Sequence, residues 1–379
     1  QVVQQGSGGL VLRGDVLQSD EVLENGEVYI DTSSEPARIE CAGCDCASEA
    51  GTQPTIVACS STSISPGLIN PHDHLGWSTV GPAKELTGQY THRHEWRTGA
   101  RGKEEIDSPS SDRSRESIMH GELRHMLAGT TAIAGSSSGA ADRGLVRNLD
   151  NADSTGGLDV EVEYSTFPLG DVSGKLKADG CDYGGFGGAG GGALREDIFL
   201  PHVAEGLGKA ASNEFRCLAQ PGENSQDLIE NNTSIVHGVG MSAEQIRELA
   251  VNGGHLVWSP RTNISLYGDT ADIATYRRFD VPIALGTDWP ITGSMNMLRE
   301  LGCASRFNRK NLGGDLRPSD LWKMATVNGA IALGIEDEIG RLERGYAADV
   351  ALFSGEATNP FARVTKADSE DVRLVLRGG

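Results

Sequence analysis

Apolar residues along this chain fall in short runs, and their spacing changes character twice. Near the start, Val11–Leu17 and Glu27–Ile30 are strand-length runs bounded by Gly, Asp, Asn and Ser, the turn formers. Near the end, Ala348–Phe353 and Val372–Leu376 have the same texture. Two strand-rich ends around a different middle predict a small β-sandwich domain assembled from both termini, residues 1–63 and 335–379. Between them, apolar runs at Ile64–Ile69, Thr130–Ala134, Leu158–Phe167, Ile198–Val203, Ser234–Val236, His255–Trp258 and Pro282–Leu285 alternate with helical spacing. That spacing is clearest over Glu116–Leu127, Ala243–Val251 and Met295–Ala304. Such alternation predicts βα units around a parallel sheet over residues 64–334. Seven runs are countable, and an eighth strand is expected between Phe167 and Ile198. That interval holds the glycine-rich stretch Gly184–Gly192, which reads as a loop. Gly170–Lys175 lacks the spacing and the following residue of a phosphate-binding loop.

Charge narrows the partners. The chain of 379 residues carries 53 acidic and 33 basic residues, a formal net charge of −20. The acidic excess is scattered in short clusters and no basic face is evident, so nucleic acid is not an expected partner. No apolar run approaches the roughly 18 residues a membrane span needs. The first residues, Gln1–Gly6, show neither a basic nor an apolar leader region. The compartment stays open, cytoplasmic or exported after removal of a leader, and so does assembly into a homo-oligomer. Four of seven cysteines crowd at Cys41, Cys44, Cys46 and Cys59. They read as one arm of a zinc knuckle, as disulfides or as free thiols.

Candidate chemistry gathers at the ends of the apolar runs. His72 and His74 follow Ile64–Ile69 at a spacing that, on a strand, puts both imidazoles on one face. His92-Arg93-His94 has the same spacing in a polar stretch with no strand before it, and a ligand role is not expected there. His202 closes another run, with Glu205 three residues on; His237 closes a third; Asp288 closes a fourth. Each alone has a bland reading as a core histidine, a cap or a turn former. Four strands each ending in a metal-ligand type make independent bland readings improbable together. The C-terminal strand ends are where barrel active sites are built.

The run Pro66-Gly67-Leu68-Ile69-Asn70-Pro71-His72-Asp73-His74, with Gly129-Thr130-Thr131, His202-x-x-Glu205, His237-Gly238, Gly286-Thr287-Asp288, Thr326–Ala330 and Ile339–Val350, resembles the amidohydrolase superfamily. The likeness spans nearly the whole chain, in order, and is closest to the imidazolonepropionase, guanine deaminase and triazine hydrolase branch. It implies a distorted (β/α)₈ barrel and one divalent metal, zinc or iron, held by His72, His74, His202 and Asp288. It also implies catalytic roles for Glu205, His237 and Asp288. The expected reaction is hydrolysis of a non-peptide C–N bond, in a cyclic amide or an exocyclic amine of a small molecule. Two-metal relatives carry a bridging lysine or glutamate on the fourth barrel strand; Leu158–Phe167 has no lysine, although Glu161 and Glu163 are present. A dinuclear dipeptidase or lactonase, and a non-catalytic metal- or ligand-binding protein, are the rival readings. Trp77, Trp258 and Trp289 near strand ends are candidates to stack on a flat substrate, and Arg261 to contact it. Asn263 is read as a cap or loop hydrogen-bonder.

Overall fold

The computed structural model describes the chain except residues 51–52, 84–85, 87–89, 137–143, 185–196 and 223–226. Most of the glycine-rich run lies outside the described residues.

The two ends of the chain build one sheet. Strands β1 (Val2–Gln4), β2 (Leu10–Leu17), β3 (Val22–Asp31), β4 (Arg38–Gly43) and β5 (Thr55–Pro66) come from the start, and β14 (Val350–Ser354) and β15 (Val372–Leu376) from the end. The order is β15-β14-β5-β2-β3-β4, with β1 beside β5. The run expected as the first barrel strand is divided at Gly67: β5 stays in this sheet, and the barrel begins at β6 (Leu68–Asn70).

The middle of the chain is the distorted barrel. Its remaining strands are β7 (Thr130–Ile133), β8 (Arg147–Asn148), β9 (Val162–Ser165), β10 (Ile198–Val203), β11 (Ser234–His237), β12 (His255–Trp258) and β13 (Ile283–Leu285). They form two parallel arcs, β6-β7-β8 and β9 to β13 in sequence order. The arcs meet where Asp73 and Asp288 form a parallel bridge, with Asp288 N donating to His72 O at 2.9 Å. The helices used below are α1 (Arg93–Thr98), α2 (Arg115–Met126), α3 (Lys209–Ala219), α4 (Ala243–Val251), α5 (Pro260–Tyr267) and α6 (Met297–Asn311). Four of these begin on side-chain caps: His92 for α1, Ser114 for α2, a Ser242/Gln245 capping box for α4 and Asn296 for α6.

The eighth strand is not where the sequence suggested. It is β8, two residues of Arg and Asn before the Leu158–Phe167 run, and among the described residues no strand lies between Ser165 and Ile198. An apolar pattern cannot show a strand whose side chains are Arg147 and Asn148. Arg147 is buried because Asp349 of the terminal sheet meets it twice, Nε to Oδ2 at 3.0 Å and Nη2 to Oδ1 at 2.8 Å. With β8 counted, β9 is the fourth barrel strand.

Strand alternation decides what faces inward. Ile69, Ala132, Leu200, Val236, Val257 and Ala284, one from each of six barrel strands, share a core cluster that fills the interior. Neighbours of opposite parity, such as Phe199, Ile235, Leu256 and Leu285, join the larger cluster with the helices. Two disulfides are present, Cys41–Cys46 and Cys181–Cys217, while Cys44, Cys59 and Cys303 are free. The crowded cysteines therefore divide between two of their three readings, and the zinc-knuckle reading falls.

Candidate active site

The interior layer passes directly into polar chemistry. His202 follows Leu200 by two residues and inherits its inward direction. Gly286 follows Ala284 in the same way, and a Cβ there would lie 2.6 Å from His72 Cβ, so only glycine lets β13 close on the histidine strand end. His237 has the parity of Ile235 and would face the helices, but its φ of +75° swings it back toward the interior. Asp288 is also left-handed, at φ +57°. Non-glycine residues in that region are strained, and such strain concentrates at functional sites.

These turns bring the sequence candidates together. His72 Nε2 and His74 Nε2 lie 3.5 and 3.3 Å from Asp288 Oδ1. The His72 ring centroid is 4.8 Å from that of His202 and 5.0 Å from that of His237. Ligand atoms of His72, His74 and His202, and of His72, His237 and Asp288, lie within 4.8 Å of one another. His237 Nε2 is 3.6 Å from Glu205 Oε2. All but the fully buried His72 line a cavity of about 650 Å³.

The cluster also carries unsatisfied atoms. His72 Nε2 and both ring nitrogens of His202 are buried without a hydrogen-bond partner. Orphaned buried polar atoms are uncommon and call for an explanation. Burial, then the imidazoles of His202, His237 and His74, push His72 well below the usual histidine range. Burial, then His237 and His74, do the same to His202. Burial acts downward on His74 too, but the Asp288 contact outweighs it and the net shift is upward. Neutral imidazoles beside a carboxylate are the donor set of a borderline divalent cation such as zinc. Two overlapping sets, His72 with His74 and His202, and His72 with His237 and Asp288, each fit one such ion. Glu163 of the fourth strand lines the cavity but belongs to neither ligand group among the described residues.

Residues 202–379 match the amidohydrolase family model. Over 122 residues the chain is 40% identical to a 5-methylthioadenosine/S-adenosylhomocysteine deaminase of Teredinibacter turnerae, covering 31% of this chain and 27% of that protein. Over 145 residues it is 28% identical to human guanine deaminase, covering 36% of this chain and 31% of the relative. The matched stretches thus span about a third or less of those curated relatives. A zinc-bound adenosine deaminase of Xanthomonas campestris shares the fold over 98% of this chain and 92% of its own, at TM-score 0.69 and 17% identity. A zinc-complexed atrazine chlorohydrolase of Arthrobacter aurescens does so over 98% and 94%, at TM-score 0.68 and 18% identity. Residues 202–379, just under half of the chain, are thus similar to the amidohydrolase family, and the whole chain shares the fold of these hydrolases.

The substrate candidates divide. Trp77 and Trp289 line the cavity, their ring centroids 5.9 Å apart. Trp258 does not: it has the outward parity of Leu256, is fully buried, packs on Phe307 at 5.7 Å and donates Nε1–H to Thr270 Oγ1 at 2.7 Å. Arg261 points elsewhere as well, to Ser294 Oγ at 2.5 Å and Arg299 O at 3.3 Å, beside a separate cavity of about 340 Å³. Asn263 lies inside α5 rather than capping it, and it makes a loop hydrogen bond as well as one to the site. Its Oδ1 accepts from His237 Nδ1 at 3.0 Å, and its Nδ2 donates to Thr270 Oγ1 at 3.2 Å. That arrangement fixes the proton on Nδ1 and leaves Nε2 facing the cavity.

Sequence reading passed over several residues that hold this site. Asp73, between the two histidines, faces the opposite way and accepts from Thr287 Oγ1 at 2.6 Å, with His125 Nε2 at 2.9 Å. Burial acts upward on Asp73, but His125 and Arg124 bring its pKa down to about 2. The alternation that put His72 and His74 together already implied that Asp73 points away. Tyr164 donates to Asp73 O at 3.2 Å and lines the cavity. Tyr267 donates to Glu205 Oε1 at 2.8 Å, and Trp96 Nε1 donates to Tyr267 at 2.9 Å. Nothing in the spacing of Trp96 or Tyr267 marks them.

Proposed function

We propose that this protein uses water to cleave a non-peptide C–N bond in a small, flat nitrogen heterocycle, releasing an exocyclic amine as ammonia. The observation that carries the reading is the pairing of Glu205 with His237 beside the orphaned nitrogens of His72 and His202. A binding protein has no need of a proton-carrying pair there. A divalent cation held by His72, His74, His202 and Asp288 supplies Lewis acidity and makes water nucleophilic at neutral pH.

Each protein group then has a separate task. Asp288 takes the proton that the attacking water loses. His237, held by Asn263, orients that water through Nε2. Glu205 has Oε1 occupied by Tyr267, so a proton held on Oε2, on the His237 side, passes to the leaving nitrogen, and the proton taken by Asp288 restores it after the amine has left. The C–O bond forms, the C–N bond breaks, and ammonia departs as a neutral molecule. A well-placed acid of this kind contributes about 10²–10⁴-fold. Trp77 and Trp289 supply ring faces for the heterocycle.

The curated relatives act on aminopurine compounds by name, which favours deamination over ring opening of a cyclic amide. Protein loaded with one equivalent of zinc, assayed with adenine nucleosides and thionucleosides, guanine, amino-triazines and cyclic ureides, tests the reading. Ammonia release from a member of the first three groups supports it. Ring opening without ammonia moves the protein to the cyclic-amide branch. Two tightly bound metals with dipeptide or lactone hydrolysis would replace the reading altogether.

A further inference from the structure

We infer that the buried cluster of His92, Arg93, His94, Asp171 and Glu214 sets the position of Glu205, making Arg93 and Glu214 positioning residues for proton delivery; the inference rests on the role proposed for Glu205.

Glu205 follows Ala204, a non-glycine residue at φ +54°. A conformation of that kind persists only where its surroundings hold it. Two sides do so here. Ala204 N donates to Glu214 Oε2 at 2.9 Å, and Ala204 O accepts from Gly240 N at 2.9 Å. Glu205 O accepts from Arg93 N at 3.1 Å, and Leu207 N donates to Thr91 O at 2.7 Å. His92 pairs with Gly206 as an isolated antiparallel bridge, so residues 91–93 form a short strap along the segment that carries Glu205. A Cβ at Gly206 would meet Thr91 O at 2.4 Å, which shows how closely the strap is applied.

The strap is itself anchored by charge. Arg93 Nη2 lies 2.6 Å from Asp171 Oδ2 and 3.4 Å from Glu214 Oε1, and Nη1 donates to Thr166 O at 2.7 Å. His94 Nε2 meets Asp171 Oδ2 at 2.7 Å, and His92 Nε2 lies 3.1 Å from Glu214 Oε1. All five side chains are buried. One guanidinium thus ties together α3, which carries Glu214, and the cavity wall from Thr166 to Asp171. The Cys181–Cys217 disulfide joins the continuation of that wall to α3 a second time. A buried ion cluster is weak evidence for stability but fixes geometry well. The geometry fixed here is the backbone turn from which Glu205 reaches His237.

The test compares Glu214→Leu, which removes the acceptor of Ala204 N, with Glu214→Gln, which keeps an acceptor. Gly206→Ala, which pushes the strap away from the other side, is a second handle should Glu214→Leu fail to fold. Three quantities are read: bound zinc, hydrogen exchange of the 203–207 amides, and kcat and KM on one ring bearing either an amine or a chloride. Chloride departs without a proton, so it does not need Glu205. In Glu214→Leu, zinc stays bound, exchange over 203–207 accelerates at least about tenfold, and kcat for the amine falls roughly 10²-fold. The chloride loses less than about threefold, and Glu214→Gln recovers most of the amine activity. Equal losses on both leaving groups, or unchanged exchange over 203–207, would overturn the inference. If the wild type releases neither ammonia nor chloride, the proposed function fails. The exchange measurement then still decides whether the brace exists.

Discussion

Two histidine pairs of identical spacing lie 20 residues apart in this chain, and they have opposite fates. His72 and His74 face His202, His237 and Asp288, and the cluster keeps buried nitrogens without partners. His92 and His94 face Asp171 and Glu214 across the Arg93 cation, and each imidazole has a carboxylate within 3.1 Å. The first pair leaves a parallel strand at the barrel mouth. The second begins a helix, with His92 as its N-cap accepting from His94 N at 3.2 Å. Spacing is common to both; what differs is the supply of carboxylates, since His92 and His94 each have one of their own, whereas His72 and His74 share Asp288 and both ring nitrogens of His202 have no partner. A cluster of donors that cannot satisfy each other is built for something else to bind. A cluster that gives each ring its own carboxylate around a buried cation is built to hold its neighbours still.

The largest expected effect separates the two pairs directly. His72→Ala should lose bound zinc and turnover together, by more than the roughly 10–100-fold that removal of an outer partner costs. His94→Ala should keep its zinc, as metal analysis on both variants would show. Retention of zinc by His72→Ala would erase the distinction.

Glu205 lies between the two clusters and should behave as belonging to neither alone. Glu205→Gln should bind zinc normally while kcat falls about 10²–10⁴-fold, measured as ammonia release. Unchanged turnover would remove Glu205 from the acid role.

The tryptophans repeat the contrast on a smaller scale. Trp258→Ala should cost roughly 3–5 kcal/mol of stability with KM little changed, because its ring fills the core. Trp77→Ala should leave the melting temperature nearly constant and raise KM several-fold, as loss of about 0.5–1.5 kcal/mol of ring contact implies. Exchanged outcomes would mean that the cavity is not where substrate binds.

The smallest effect concerns two buried carboxylates. Burial acts upward on Asp171, but Arg93 and His94 outweigh it and its pKa is lowered. Burial of Glu300 on α6, only partly offset by Arg261 N and Ser294, pushes its pKa up to about 7. The folded state therefore holds an extra proton on Glu300 between its unfolded value and about 7, so that part of the stability declines as pH rises through this window. Glu300→Gln should narrow the difference in melting temperature between pH 5 and pH 8 by a few degrees, a fraction of the roughly 3 kcal/mol that the shift represents. An unchanged difference would mean that Glu300 is not the group responsible.

Sequence reached far into this site because ligand types closed apolar strands, and strand parity is written in the pattern. His202 follows an inward residue by an even step, so its direction was legible, whereas Asp288 was legible only as a residue past a strand end, its backbone being left-handed. His237 was legible only as a strand end; its left-handed backbone, which reverses its parity, leaves no mark in composition. β8 was missed because a strand of Arg and Asn has no apolar signature, and its burial depends on Asp349, far along the chain. Trp258 was misjudged for the opposite reason. Its strand end was visible, but Leu256 and Trp258 share a parity that the short run His255–Trp258 did not anchor to either face. Tyr267 and Trp96 reach Glu205 only through the tertiary fold, as did the acidic partners of His92 and His94.

The terminal sheet carries a consequence for how the molecule is made. β5 pairs on one side with β2 and on the other with β14, nearly three hundred residues later in the chain. During synthesis the stretch of β5 that β14 covers emerges early and stays unpaired on that side until β14 leaves the ribosome, by which time the whole barrel has been translated. An unpaired edge of that kind invites association with other nascent chains. Slowing translation of the barrel, or lengthening the wait before β14 appears, should therefore lower soluble yield without touching a single catalytic group.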